Sequence, residues 1–217
     1  MRDEKPLPES RNSAFLETIN EFGYWRRRQS ELGVAVYDEP AFEGDRIHFR
    51  SGFQMGLDWP HWREHGEWSS YTIEPTDAGY LVKHSTKGER SVDRTERTQA
   101  VFTRPDDAGK FVVGRMANAV RVDLGLESLI VRWKRSGIDP RLRRQKPTTD
   151  QLRFMNQVCV GIQPGLLEKY LHEFSLVAQP QIYALPLPSQ EPMMNILPLS
   201  FAELRDLLTD GMRPIDP

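Results

Sequence analysis

One cysteine, Cys159, stands in 217 residues, so no internal disulfide can form and a reducing compartment is the simple expectation. No apolar run approaches the ~18 residues that a membrane-spanning helix needs. The opening Met1-Arg2-Asp3-Glu4-Lys5-Pro6 lacks the apolar stretch of a secretory signal, and a cytoplasmic protein is expected. An excess of one charge is missing too. Lys plus Arg number 29 against 31 for Asp plus Glu, which leaves no whole-molecule field to attract nucleic acid or an anionic membrane. There is no G-x-S-x-G, no P-loop, no dinucleotide-binding glycine fingerprint and no internal repeat. That absence argues for a binding protein without a cofactor rather than an enzyme. With 38% hydrophobic residues the chain can still bury a core, and its length fits one cooperative unit.

Helix signals open the chain. Ser10 or Ser13 can cap a helix whose apolar residues Phe15, Leu16, Ile19 and Phe22 share one face, and Gly23 is the expected stop. Two short strands are expected at residues 34–37 and around Ile47 and Phe49, which alternate with His48 and Arg50. Residues 68–73, 80–86 and 92–102, separated by turn sequences, predict an antiparallel meander. The last of these is polar from Asp93 to Thr98 and is expected near a sheet edge.

Pro105-Asp106-Asp107 starts a helix with an apolar stripe of Ala108, Val112, Met116, Ala119 and Val120, ended by Gly125. Residues 132–146 carry seven basic side chains broken by Gly137 and Pro140, and read as an exposed connection. Further helices are expected from Thr149-Asp150 onward and over 166–177. From Pro180 to the end lie seven of the 16 prolines. One strand fits 181–187, extended coil fits most of the rest, and the capping box Ser200-Phe201-Ala202-Glu203 starts a last short helix. The fold class is α+β: an antiparallel meander packed with several helices. It forms one domain over 1–185, followed by a proline-rich extension over 186–217.

The most aromatic stretch of the chain is Trp59-Pro60-His61-Trp62-Arg63-Glu64-His65-Gly66-Glu67-Trp68. His61-Trp62-Arg63-Glu64-His65 spells H-x-x-E-H, a zinc-hydrolase signature. Zinc would need a helix that stacks both histidines on one face, plus a third ligand held by further hydrogen bonds. Pro60 and Gly66 bracket barely one turn, and no third ligand, His84 included, stands at a telling spacing. The stretch therefore reads as an aromatic loop. Trp59, His61, Trp62 and Arg63 are the candidate partner-binding residues, because tryptophan and arginine bring large contact area at low entropy cost. Arg26, Arg27 and Arg28 are a candidate charged rim. The zinc hydrolase using His61, Glu64 and His65 stands as the alternative.

Two other features read as structural. Cys159 lies among apolar residues with nothing nearby to lower its pKa, and is expected to be a buried thiol. The basic run at 132–146 holds no aromatic residue except Trp133, which speaks against a nucleic-acid surface.

The order of elements carries one resemblance. A first helix contains Phe22-Gly23-Tyr24, the β-rich middle closes with "RTERTQAVF", and "DDAGKFVVGRMANAVRVDLGLESL" follows. In this last segment Asp106 and Asp107 open the helix, and Arg121, Leu124, Gly125, Leu126 and Leu129 close it. The pattern resembles the Immunity protein 61 family of actinobacteria over residues 14–133, and more faintly to about 185. Residues 26–66 are longer than the family pattern, and the stretch after 185 has no counterpart in it. The resemblance implies a cytoplasmic antitoxin that binds a cognate toxin domain one-to-one and blocks its active site. It further implies that the toxin can be an NAD glycohydrolase.

Overall fold

The computed structural model describes residues 13–52, 67–88 and 95–212. Its first helix, α1 (Leu16–Glu31), does not stop at Gly23. Trp25, Arg28 and Gln29 continue the buried face beyond Phe22, so packing carries the helix past the glycine. The stop comes at Gly33, whose φ of 68° lets the Gly33 N–H donate to Ser30 O and the Val34 N–H to Gln29 O. These two bonds satisfy carbonyls that a helix end otherwise leaves bare. The strand expected at 34–37 is absent, and β1 forms instead at Ala41–Glu43.

The remaining strands are β2 (Arg46–Ser51), β3 (Trp68–Thr76), β4 (Gly79–Lys87), β5 (Thr95–Phe102), β6 (Leu142–Gln145), β7 (Glu173–Leu176) and β8 (Tyr183–Pro186). They make one eight-stranded sheet in the order β1-β2-β3-β4-β5-β8-β7-β6. Every neighbouring pair is antiparallel. The meander β3-β4-β5 follows the expectation, but β5 is not an edge strand. β8 pairs with Ala100, Val101 and Phe102, so only the N-terminal half of β5 has a neighbour on one side alone. Its polar residues Thr95, Glu96 and Arg97 fall in that half.

The sheet separates two apolar layers. Ile47, Phe49, Ile73, Val82, Ala100, Phe102, Phe174 and Ala184 face α1 and α2 (Pro105–Asp123). Leu81, Val101 and Leu185 face the opposite way, against Met155, Cys159, Leu167 and Leu171. These last come from α4 (Thr149–Val158), α5 (Pro164–Tyr170) and their flanks. The helix expected over 166–177 ends at Tyr170, and the chain turns into β7. Residues 132–146 are not a loose connection: they build α3 (Leu129–Ser136) and β6.

The residues after 185 do not form an extended appendage. The division at 185/186 falls inside β8. Beyond it a 3-10 helix (Pro188–Ile196) and α6 (Phe201–Thr209) place Met193, Met194, Ile196, Leu197, Phe201, Leu204 and Leu208 in the main core. The capping box of α6 forms as expected. The C-terminal segment is held to α2 by two buried cations. Lys110 donates to Ile196 O (3.2 Å), Leu197 O (3.3 Å) and Leu199 O (2.6 Å). Its ammonium also pairs with the fully buried Asp107 carboxylate at 2.8 Å. Arg121, 1% exposed, donates to Leu208 O and Asp210 O, both at 2.7 Å, and to Glu127 O at 3.2 Å. Each cation occupies the carbonyl-rich C-terminal end of a helix, where positive charge is favoured.

Two stability outcomes follow from these contacts. Lys110→Met strands three carbonyls and unbalances Asp107, and urea unfolding should show a loss of ~3–5 kcal/mol; a loss below about 1 kcal/mol would remove the clamp from the account. A Cβ on Gly109 would stand 1.9 Å from Thr18 Oγ1 and 2.9 Å from Thr18 Cβ. Gly109→Ala should therefore push α1 off α2 at a cost of ~1–3 kcal/mol. Thr18→Ala should relieve part of that cost, which a double-mutant cycle measures as non-additivity.

Candidate functional site

The antiparallel register stacks side chains in rows across β2 to β5. On the face that carries α1 and α2, the inner row is Ile47, Ile73, Val82 and Ala100, all fully buried. The next row outward is Phe49, Tyr71, His84 and Arg97, and the last is Ser51, Ser69, Thr86 and Thr95. Cover fades along this direction: Phe49 is buried, Tyr71 and His84 are half-buried, and Arg97 is exposed. The outer rows form a polar shelf at one end of the sheet.

The shelf is internally ordered. The Tyr71 and His84 rings stack with centroids 4.4 Å apart. Ser69 Oγ lies 2.8 Å from His84 Nε2. From α2, Arg115 Nε donates to the Tyr71 hydroxyl at 3.2 Å. Burial and the Arg115 cation push the His84 pKa below its ordinary value, so the ring is neutral near pH 7. Tyr37, close by, has its pKa pushed up to about 12, first by burial and then by Tyr71 and Asp123, with Arg115 opposing. A neutral histidine bonded to a serine hydroxyl is half of a nucleophile arrangement. Among the described residues no carboxylate is hydrogen-bonded to the other ring nitrogen to orient it.

Two connections leave from this same end. Residues 53–66 join β2 to β3, and residues 89–94 lie between β4 and β5. Ser51 pairs with Ser69; Thr86 pairs with Thr95. A Cβ at Gly52 would meet Glu67 O at 2.8 Å, so the two backbones that bound the first connection touch. Trp68, the first residue of β3, is 3% exposed and anchors the strand there.

Trp59, His61, Trp62 and Arg63 lie outside the described residues, as do Glu64 and His65 of the zinc reading. His84, the histidine considered as a third ligand, has one ring nitrogen bonded to Ser69 and its face against Tyr71. Among the described residues no group of three His, Cys, Asp or Glu side chains comes together as a ligand set.

Arg26, Arg27 and Arg28 are not equivalent members of a rim. They lie on α1. Arg26 donates to Tyr37 O at 2.7 Å and pairs with Glu39, and Arg28 is buried beside Glu31 at 3.9 Å. Only Arg27 of the three is exposed. Arg26 and Arg27 line a shallow depression of about 450 Å³ with Gly23, Ser30 and Glu39.

The basic run is largely paired. Arg132 and Arg135 meet Glu127, Arg132 also reaches Asp210, Arg141 meets Asp139, and Arg144 meets Glu191. A larger cleft of about 740 Å³ has Leu176, Val177, Pro198 and Leu199 in its wall, with Arg104 and Arg141 at hand. Those two guanidiniums are each held by two bonds to Asp107 and Asp139. Cys159 is buried, as expected, and burial pushes its thiol up to about 11.

Tyr71, Arg97 and Arg115 did not stand out in the sequence. The alternation in Trp68-Ser69-Ser70-Tyr71 puts Ser69 and Tyr71 on one face, but only the register brings His84 and Arg97 beside them. No family model, curated protein or solved structure matches this chain. No helix among the described residues is long and apolar enough to cross a membrane.

The raised pKa values set an alkaline limit on stability. Cys159 ionises at 9.0 when free of the fold and at about 11 within it; Tyr37 moves from 10.0 to about 12. The unfolded chain loses these protons first, so stability is full below the unfolded values and falls as pH rises through the folded ones. Urea midpoints should decline steadily from pH 9.0 towards about 11, and a thiol reagent should label Cys159 only as the chain unfolds. Rapid labelling of the native protein would show that the thiol is accessible.

Proposed function

We propose that this chain is an immunity protein, an antitoxin that binds a cognate toxin domain in the cytoplasm and blocks its active site. This is the function that the resemblance to the Immunity protein 61 family implies, and an NAD glycohydrolase is the toxin class it points to. One observation supports the reading most. The connection that carries Trp59, His61, Trp62 and Arg63 is bounded by fixed strand ends, with Gly52 against Glu67 O and Trp68 buried in β3. Anchor residues attached to a rigid scaffold lose less freedom on binding, which is where tight inhibitors gain affinity. Picomolar to nanomolar binding corresponds to ~12–16 kcal/mol and is reachable with a standard interface of roughly 1,600 Å² if a few anchors dominate.

Calorimetric titration with the toxin domain encoded beside this chain tests the proposal. Saturable one-to-one binding is expected, with an affinity below ~10 nM. Replacing Trp59 and Trp62 together by alanine should weaken it by at least ~100-fold while leaving thermal stability nearly unchanged. Unfolding of the double variant would make those rings core and remove the anchor argument. No binding, together with one equivalent of zinc in the purified protein, would favour the hydrolase that uses His61, Glu64 and His65.

A further inference from the structure

The polar shelf holds two cations that have no counter-charge among the described residues. Arg46, Arg104, Arg135, Arg141, Arg144 and Arg205 each have a carboxylate within ion-pair distance. Arg97 and Arg115 have none among the described residues. Arg115 is half-buried, and its one side-chain hydrogen bond among the described residues goes to a neutral group, the Tyr71 hydroxyl at 3.2 Å. A guanidinium carries five N–H donors, so most of its donor capacity has no partner among the described residues. Arg97 is exposed and stands opposite His84 across the β4-β5 pair. The acidic residue next to it, Glu96, points to the other face, where it meets Ser85 and Lys83.

From the shelf we infer a docking surface for a protein partner that presents an acidic side chain. Arg97 and Arg115 supply the opposing charge, and the half-buried, stacked Tyr71 and His84 rings lie beside them as apolar surface for the methylene groups next to the carboxylate. This inference rests on the antitoxin reading and names the chemistry of its partner. Charge complementarity chooses the occupant. A neutral imidazole and a tyrosine hydroxyl offer no negative charge to repel a carboxylate, whereas a basic partner would meet two uncompensated guanidiniums. The exposed Arg97 places the charge at the surface, where the polar rim of a protein interface lies.

The test is calorimetric and stopped-flow titration of the full chain with the cognate toxin domain at low and at physiological salt. The proteins compared are wild type, Arg97→Gln, and the pair Arg97→Gln with Arg115→Gln. The pair should lose about 10- to 100-fold in affinity, largely in the association rate, and should lose most of the salt dependence that wild type shows. Thermal melts confirm that the variants fold. Arg97→Gln alone alters an exposed side chain, so it keeps the test open if the pair fails to fold, with a smaller loss of the same kind expected. Wild-type binding that is matched by the variants at both salt concentrations would overturn the docking surface and leave the antitoxin reading intact. If wild type does not bind the toxin domain, both fall together. Saturable binding of inorganic phosphate that the paired substitution abolishes would overturn the acidic side chain as occupant in favour of a phosphate group.

Discussion

Two buried cations on one helix hold the C-terminal segment of this protein in place. Lys110 and Arg121 lie on α2, and each reaches the carbonyls at the end of a later helix. Burying a charge is costly unless it is paired and fully hydrogen-bonded. Lys110 meets that condition through Asp107 and three carbonyls. Burial pulls its pKa below the ordinary value while Asp107 pushes the other way. The geometry is demanding, because the carbonyls at the end of the 3-10 helix must converge on one ammonium. That requirement fixes where residues 196–199 sit, and with them the entry into α6. Apolar burial of Met194, Ile196 and Leu204 drives the docking, and the cations set its position.

The sheet turns this local order into a platform. Because Ala100 and Phe102 face one core while Val101 faces the other, the centre of β5 is packed on both sides. β8 adds a neighbour over those same three residues. Rigidity therefore concentrates where β4, β5 and β8 meet and gives way to half-buried rows toward Ser69, Tyr71 and His84. A surface that must recognise a partner gains from this arrangement, since its side chains are partly ordered before contact. The Tyr71–His84 stack and the Ser69–His84 bond do that ordering within the shelf itself.

Much of this architecture was legible in the sequence wherever local chemistry and tertiary packing agree. The start of α2 at Pro105-Asp106-Asp107, its end at Gly125, the α6 capping box and the β3-β4-β5 meander are of that kind. The misreadings arose where packing overrides local preference. Gly23 allows a stop, but Trp25 and Arg28 are buried on the same helix face and carry α1 onward. The sequence of β5 suggests an edge, because it is polar from Asp93 to Thr98. A bulge at Gln99 pairs Val82 with Ala100 but Lys83 with Thr98, so that Thr98 and Ala100 point to opposite faces. The prolines after 180 suggested coil, yet Pro188 and Pro192 sit in a 3-10 helix whose carbonyls are satisfied from α2. No local signal announces a bond between residues 86 to 89 positions apart. The shelf was hidden for the same reason: Tyr71, His84, Arg97 and Arg115 come from four elements and meet only through register.

Three of the charged residues in the segment that carries the family resemblance are interior. Asp107, Lys110 and Arg121, within "DDAGKFVVGRMANAVRVDLGLESL", are all at most 3% exposed and are bound to the backbone or to one another. Those three residues specify how α2 is held, and so a scaffold, whereas Arg115 of the same segment is half-buried and lies on the shelf. Whatever selects a partner must lie on side chains that the core does not use. In this chain the half-buried and exposed residues of the shelf are of that kind. Shelf residues other than Arg115 can change without disturbing the Lys110 and Arg121 clamps, because among the described residues only the bond from Arg115 to Tyr71 ties the shelf to α2. One helix thus serves both ends: its Asp107, Lys110 and Arg121 secure the fold, and its Arg115 donates to Tyr71 on the shelf, along the same face of the sheet.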